Sequence, residues 1–599
     1  MKKIPIIVGF GGINSAGRTS GFHSYKRIIH SFLSNKEMQS TWLDLANRMK
    51  IKQKKNYINK ILKGTLIRKI DSFNPDAVID YFNLAYSSES LPNIKFKIST
   101  FRLPSPIPSN WNLLKINKDI ASIEIKNPKE ILVPISKKLE VTTAGNIPKG
   151  FNPGSLYNSL YHPRSLQLGV YGISDAINSL GLDWENIMHY ISPDKISVYA
   201  GSALCQSDEN SLTGLSINSK IGKPINAKMI ALSFSEMTAD FINSYIINSV
   251  GNTGSNMGAC ATFLYNLRMG IQDIQLGKAR VVIIGTSEAP ISPEIIKGFS
   301  RMGALAKDKN SIKLNKNIDY SQICRPFSEN FGFTISESAQ FIIIMDDDLV
   351  MKIGANILGS VENVFINADG NKKSITSPGI GNYITIAKTV SLCKKIFGEK
   401  ELNNTYVQSH GTGTPQNRVT ESHILNTIAK AFSIKNWPVT AIKSYIGHSI
   451  ASAAGDQISI ALGVWKFKII PGITSIDCIA NDVHHDYLDI LKNHKYLDKP
   501  PVAAIINSKG FGGNNASALL ISPEKTIEML KYKYQKNIWK EYQKKYIKIL
   551  DKIQEIDKSS CEGKEKIIYN FGKSILSEKF LKLNTNQIYF SDSNLIIPY

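Results

Sequence analysis

With 599 residues and 42% apolar composition, the chain is long enough to bury a large core, and length alone allows several domains. Its 72 basic residues against 49 acidic ones give a net charge of +23, but the lysines are spread evenly amid an excess of Asn and Ile. That spread argues against a nucleic-acid-binding arm and leaves a diffuse field that favours acidic partners. The six cysteines, at 205, 260, 324, 393, 478 and 561, have neither zinc-ligand nor disulfide-framework spacing, so no metal is expected and a reducing cytoplasm is the expected compartment.

The opening MKKIPIIVGFGGINSAG has the outline of a signal peptide, but Pro5 and the glycines interrupt an apolar run already too short. No other stretch reaches membrane-spanning length, and a soluble protein without an integral membrane segment is expected. Residues 4–12 predict a buried strand entering a glycine turn. The turn is similar to a dinucleotide-binding loop, except that Asn14 stands where the third glycine belongs, and no cofactor is expected. Between about 20 and 160 lie helical patches around 24–62, a Pro-rich stretch, LPSPIPSNW, and the apolar run ILVP at 131–134. This region has the character of an elaboration on a core.

From there the chain alternates. An amphipathic helix is predicted at 163–181, bounded by Pro163 and Gly181, then a strand at 196–206. Apolar residues at Phe263, Leu264, Leu267, Ile271 and Ile274 have helical spacing, and Gly277 with Lys278 closes that helix. Cys260 therefore sits at its positive pole, where a thiol is biased towards thiolate and small neighbours admit a substrate. Strands follow at RVVIIGTSEA and at 339–350. The three aspartates of the latter predict a solvated strand end. A second series runs through strands at 355–369, 405–414, 438–448 and 502–507, helices at 380–397 and 451–467, and the strand ASALLIS. Such alternation predicts a parallel-rich α/β architecture of helices layered over sheets. After Pro523 the chain becomes a basic helix with Trp539, Tyr542, Tyr546, Ile549, Ile553 and Ile556 on one stripe, expected to dock the tail onto the body.

Loops after three predicted strands present Cys260, His410 and His448, and the ends of parallel strands are where such sheets gather their active sites. Two histidines suit a cysteine nucleophile whose chemistry must polarise a thioester and steady charge as a carboxylate leaves. The segments GACATF, HGTGTPQNRVTE, IKSYIGHSIASAAG and GFGGNNAS resemble, in order, the signature blocks of β-ketoacyl-acyl-carrier-protein synthases of the elongating Cys-His-His type. The resemblance covers roughly 160–522 and the first strand.

This resemblance implies a thiolase-type, five-layered αβαβα fold with two similar halves, normally a homodimer. On it the divisions are 1–349, carrying the insertion, 350–522, and a 523–599 extension. It implies that Cys260 takes an acyl group from an acyl-CoA or acyl-carrier primer, while His410 and His448 promote decarboxylation of a malonyl-carrier thioester. Lys443 and Glu421 match the family's active-site lysine and its supporting glutamate. The N–H groups of Cys260 and Phe511 would form the oxyanion hole, and Thr412, Thr414, Gly512, Gly513 and Lys509 would contact substrate. An acidic acyl carrier protein is the implied partner.

The sequence departs from the family at three places. Arg418 replaces an aspartate, RPFSENFGF (325–333) is a shortened block, and Lys509 replaces a bulky apolar gate. Lys509 either faces a short or phosphate-bearing primer or snorkels outward. The opening, the insertion and the tail are similar to a longer bacterial branch that primes fatty-acid synthesis from acetyl-CoA. A silent chain-length-factor-like subunit and a polyketide or specialised-lipid condensing enzyme are the alternatives.

Overall fold

The computed structural model describes residues 2–85, 93–126, 130–315, 319–374, 377–573, 577–591 and 595–599. The chain forms two compact units, Met1–Ser72 with Val141–Tyr599, and Phe73–Glu140. In the described residues of the smaller unit the structure is mainly strand, with one short 3-10 turn at Thr100–Arg102. Val78–Ala85 pairs with Glu130–Lys137, which contains the ILVP run, and Ile120–Ile125 pairs with both Ile94–Ser99 and Trp111–Ile116. The Pro-rich stretch joins Ile94–Ser99 to Trp111–Ile116, because proline cannot donate to a ladder.

The larger unit is built on ten strands: β1 (Pro5–Asn14), β2 (Ile196–Gly201), β3 (Thr253–Gly254), β4 (Val281–Glu288), β5 (Ser338–Asp346), β6 (Gly359–Ala368), β7 (Thr405–Gln408), β8 (Trp437–Thr440), β9 (Ala503–Gly510) and β10 (Asn514–Ile521). Their spatial order is β3-β2-β4-β5-β1 followed by β6-β10-β9-β7-β8, with Leu488–Ile490 added at the far edge. Read from the opposite edge, the second five repeat the order of the first, and the senses repeat as well. The second strand of each series is parallel to the third and fourth, and the fourth, fifth and first are antiparallel. The two series join where Ile6 and Ile7 of β1 pair with Ser360 and Gly359 of β6.

The helices complete five layers. In chain order they are α1 (Arg164–Asn178), α2 (Thr262–Gln275), α3 (Gly381–Phe397), α4 (Pro415–Ala431), α5 (Ala453–Phe467) and α6 (Lys536–Cys561). α1 packs on β1 and β5, and α3 on β6 and β10, as outer layers. α2 and α5 lie between the two series and touch strands of both. α5 is buried on nearly every side, so its sequence carries almost no amphipathic stripe. Strand alternation divides the core accordingly, with Ile7 facing the central layer and Ile6 and Val8 the α1 side.

Two expectations are refined by packing. β1 continues through the glycines to Asn14, because these glycines admit a helix. A Cβ on Gly11 would lie 2.3 Å from the backbone nitrogen of Ala176 in α1. Asp346 is not a solvated strand end, since its carboxylate pairs with Arg280 at 2.7 Å and caps the helix Asp347–Ile353.

In the tail, α6 buries Tyr542 and Ile549 and rests Trp539 and Tyr546 on the α1-side core, as the aromatic stripe predicts. Beyond α6 the chain adds a three-stranded antiparallel sheet, Leu581–Leu583, Gln587–Phe590 and Leu595–Pro598. A buried charge network fixes α6, with Arg18 donating to Asp44 and Asp557 at 2.8 Å each. His23, Asp557 and Cys561 lie close enough to share a metal ion, but the guanidinium of Arg18 donates to both Asp557 and Cys561 and already supplies positive charge there.

Candidate active site

Each residue of the site stands at the end of a strand or at the start of a buried helix. Cys260 occupies the turn Ala259–Ala261 that opens α2, and Ala259 has φ of +50°, a strained value for a residue with a Cβ. The kink turns the buried thiol towards the neighbouring half. β7 ends two positions before His410. Lys443 begins the short turn Lys443–Ile446 after β8, and His448 follows it.

Cys260, His410 and His448 converge on one cavity of about 350 Å³, lined also by Thr412, Thr414, Lys509 and Phe511, while Lys443 stands behind the lining. The Cys260 sulfur lies 3.1 Å from His448 Nε2, and the rings of His410 and His448 stand 5.4 Å apart at 90°. The backbone N–H groups of Cys260 and Phe511 both reach the sulfur. A carbonyl oxygen bound there would meet fixed donors.

Burial dominates the electrostatics. It pushes the Cys260 thiol up to about 12, against the pull of Lys443 and the two N–H groups. The same burial, with Lys443 nearby, holds both imidazoles well below their usual range. Burial thus favours the neutral thiol and the neutral imidazole and opposes the bias towards thiolate that the helix pole supplies. The N–H of Lys509 donates to His410 Nδ1 at 3.3 Å, which leaves the His410 proton on Nε2.

Lys443 donates to the carbonyl of His410 at 2.6 Å, and burial lowers it to about 8 against the opposing charge of Glu421. Fully buried Glu421 accepts the N–H groups of His410 and Gly411, at 2.7 and 2.8 Å, and the side-chain amides of Asn417 and Asn507. Its carboxylate thus fixes the His410 loop directly. Asn417 and Asn507 were not singled out from sequence, although Asn417 stands one helical turn before Glu421 on α4.

Lys509 lines the cavity, with Nζ donating to Asn417 and Thr420 at 3.3 Å each, so it does not snorkel outward. Burial lowers its pKa. Thr412 and Thr414 lie 3.2 Å apart on the cavity wall. Gly512 and Gly513 form the turn behind that wall rather than the wall itself, where the Gly513 carbonyl accepts the Asp369 N–H. Asp369 and Lys372 stand in the lining in their place; they come from a loop with no motif to mark it. Arg418 turns away to a two-point ion pair with Asp482.

Comparisons with known proteins agree with this geometry. The N-terminal and C-terminal domains of the beta-ketoacyl synthase family match residues 144–348 and 358–476. The beta-ketoacyl-[acyl-carrier-protein] synthase FabY of Pseudomonas aeruginosa is 42% identical over 98% of this chain and 96% of its own. The crystal structure of that ketosynthase superposes with a TM-score of 0.95 at 41% identity, covering 100% of this chain and 98% of the other. The 3-oxoacyl-[acyl-carrier-protein] synthase 2 of Staphylococcus aureus is 28% identical over 59% of this chain and 82% of that protein. A type II polyketide ketosynthase, solved with its acyl carrier protein, shares the fold at 15% identity and a TM-score of 0.57. With two domain matches and a relative aligned along nearly its whole length, the chain belongs to the β-ketoacyl synthase family, condensing enzymes of the acyltransferase class with a thiolase-like fold.

Proposed function

We propose that this chain joins an acyl primer to a malonyl group on an acyl carrier protein by decarboxylative condensation, in fatty-acid biosynthesis, with Cys260 as the acyl carrier. The observation that carries the reading is the 3.1 Å contact between Cys260 and His448, beside His410, in one cavity. Cys260 attacks the primer thioester, and the carrier thiol leaves with the proton. The oxyanion rests on the N–H groups of Cys260 and Phe511. Malonyl thioester then enters. Its bond to the carboxylate breaks, carbon dioxide departs, and the electron pair becomes an enolate whose oxygen accepts from the imidazoles of His410 and His448. The enolate carbon attacks the acyl-enzyme, the new C–C bond forms, and the Cys260 sulfur leaves as a thiolate that takes up one proton from water entering the cavity. Lys443 and Glu421 act by holding the His410 loop, and no cofactor enters these steps.

Lys509 sets the primer class. An ammonium inside a cavity of about 350 Å³ disfavours a long hydrocarbon chain and suits a short acyl group delivered by coenzyme A or by the carrier protein. Thr412 and Thr414 bind the thioester arm, while Gly512 and Gly513 shape the loop that carries Phe511. Arg301, at the end of a helix beside the lining residues Met302 and Gly303, contributes positive charge near the mouth, matched to an acidic carrier protein. The divisions 1–349, 350–522 and 523–599 mark the two condensing halves and the tail. We place the enzyme in the cytoplasm as a homodimer. Among the described residues no helix is long and apolar enough to cross a membrane.

Mass spectrometry after incubation with acetyl-CoA, and separately with long-chain acyl carrier thioesters, tests the reading. Acetyl loading on Cys260 is expected, and Lys509→Ile is expected to shift loading towards longer chains. Exclusive loading of long chains by the native protein would refute the primer assignment. Absence of any acyl adduct on Cys260 would refute the reaction.

A further inference from the structure

The turn Lys443–Ile446 separates the catalytic cavity from a second cleft of about 460 Å³. Tyr445 lines this cleft, donates to the carbonyl of Gly472 at 2.6 Å and accepts the Ile67 N–H at its own carbonyl. Ser31 and Phe32 stand exposed at the rim. At the floor lies Arg27, only 4% exposed.

Five arginines are buried among the described residues, and four of them, Arg18, Arg48, Arg68 and Arg325, have a carboxylate within ion-pair distance. Arg27 has neutral neighbours instead. Its Nε donates to Thr65 Oγ1 at 2.8 Å, and its terminal nitrogens reach the Leu62 carbonyl at 3.4 Å and His30 Nδ1 at 3.5 Å. Among the described residues no Asp or Glu lines the cleft. Burial without a counter-charge lowers the Arg27 pKa to about 10. His30 and His494, also in the lining, are held below their usual range, and His494 Nδ1 accepts the Gly472 N–H, which leaves its other nitrogen as a donor.

An unpaired guanidinium at the floor of an open cleft is costly when empty and is a strong receptor for a carboxylate or phosphate oxygen pair. Much of the remaining wall, including Ile28, Leu66 and Phe32, is apolar. We propose that this cleft binds an amphipathic oxyanion, a carboxylate or phosphate ester with an apolar body, with its head group on Arg27. The site is separate from the condensing centre and does not depend on the reaction assigned there.

Thermal shift and calorimetric titration of the full chain with octanoate, inorganic phosphate and neutral octan-1-ol test it. Octanoate is expected to raise the melting temperature of the native protein, and Arg27→Gln to weaken its binding roughly tenfold or more. A shift with phosphate as well would identify the head group as a general oxyanion subsite, and a shift with octanoate alone would assign the carboxylate class. Ser31→Trp, which obstructs the rim and leaves Arg27 in place, is expected to abolish the shift and carries the test if Arg27→Gln fails to fold. Equal shifts with octan-1-ol and octanoate, unchanged octanoate binding in both variants, or no shift with either anion would overturn the proposal.

Discussion

The two five-stranded series share one strand order, yet they meet the reaction centre with different chemistry. α2 and α5 are equivalent helices, and each is entered through a short turn whose first residue has a left-handed backbone: Ala259, φ +50°, in one half and Ile450, φ +49°, in the other. The second residue of that turn is Cys260 in the first and Ala451 in the second. The equivalent strand ends differ as well. β4 ends on Glu288, whose buried carboxyl accepts the Ser202 hydroxyl and the Ala203 N–H and also faces the N–H of Ala451, whereas β9 ends on Gly510, where a Cβ would lie 2.1 Å from the Gly258 carbonyl. One turn therefore has its N–H filled by a side chain of the protein, and the other keeps its N–H facing the cavity. A duplicated backbone makes two candidate oxyanion holes, and a single buried carboxyl group closes one of them.

The largest effect expected is from Cys260→Ala, which should lower acyl loading and condensation by a factor of about 10⁴ or more, measured by mass spectrometry and product formation. The same variant should keep its melting temperature. Adding Ala451→Cys to that background sharpens the comparison. No loading is expected at position 451, because Glu288 holds its N–H, and an acyl adduct there would show that the two turns are chemically interchangeable.

Glu421→Ala should cost roughly 3 to 5 kcal/mol in denaturant unfolding. It strands the N–H groups of His410 and Gly411 and removes the charge that offsets Lys443. A loss below about 1 kcal/mol would mean that the His410 loop is held by its other contacts.

Glu288 gives a pH signature to the half that it closes. Burial raises its carboxyl from an ordinary value near 4.5 to about 8. The folded state thus holds a proton that the unfolded state has lost, so the contribution to stability is full below about 4.5 and declines as pH rises towards about 8. Glu288→Gln should flatten that decline, seen as a difference between variant and native unfolding curves across the interval. An identical slope in both proteins would place the titration elsewhere.

The smallest effect belongs to Arg418→Ala. Its ion pair with half-exposed Asp482 is screened by solvent, and a change within about 1 kcal/mol with unaltered acyl loading is expected. A large loss of loading would bring this departure from the family pattern back into the site.

Local signals made the elements legible. The spacing from Phe263 to Ile274 marked α2, Pro163 and Gly181 bracketed α1, and the glycine- and threonine-rich loops marked the strand ends that present Cys260, His410 and His448. The glycines near the end of β1 signal a turn in the sequence, because glycine usually does. Here it signals the close approach of α1 from a distant part of the chain. The side chains that complete the site, Asn507 on Glu421 and Asp369 with Lys372 at the cavity wall, carry no local pattern, since each acts through a neighbour brought there by sheet pairing.

By itself the sequence determined the family and the layered α/β class and singled out the thiol and the two imidazoles proposed for the site, because each depends on residue type and short-range spacing. Tertiary structure decided the protonation of Cys260, the direction of Lys509, the closure of the Ala451 turn by Glu288 and the unpaired state of Arg27. These depend on which charges and dipoles share a buried space, and residues hundreds of positions apart set that balance once desolvation has raised the energy of every unpaired charge.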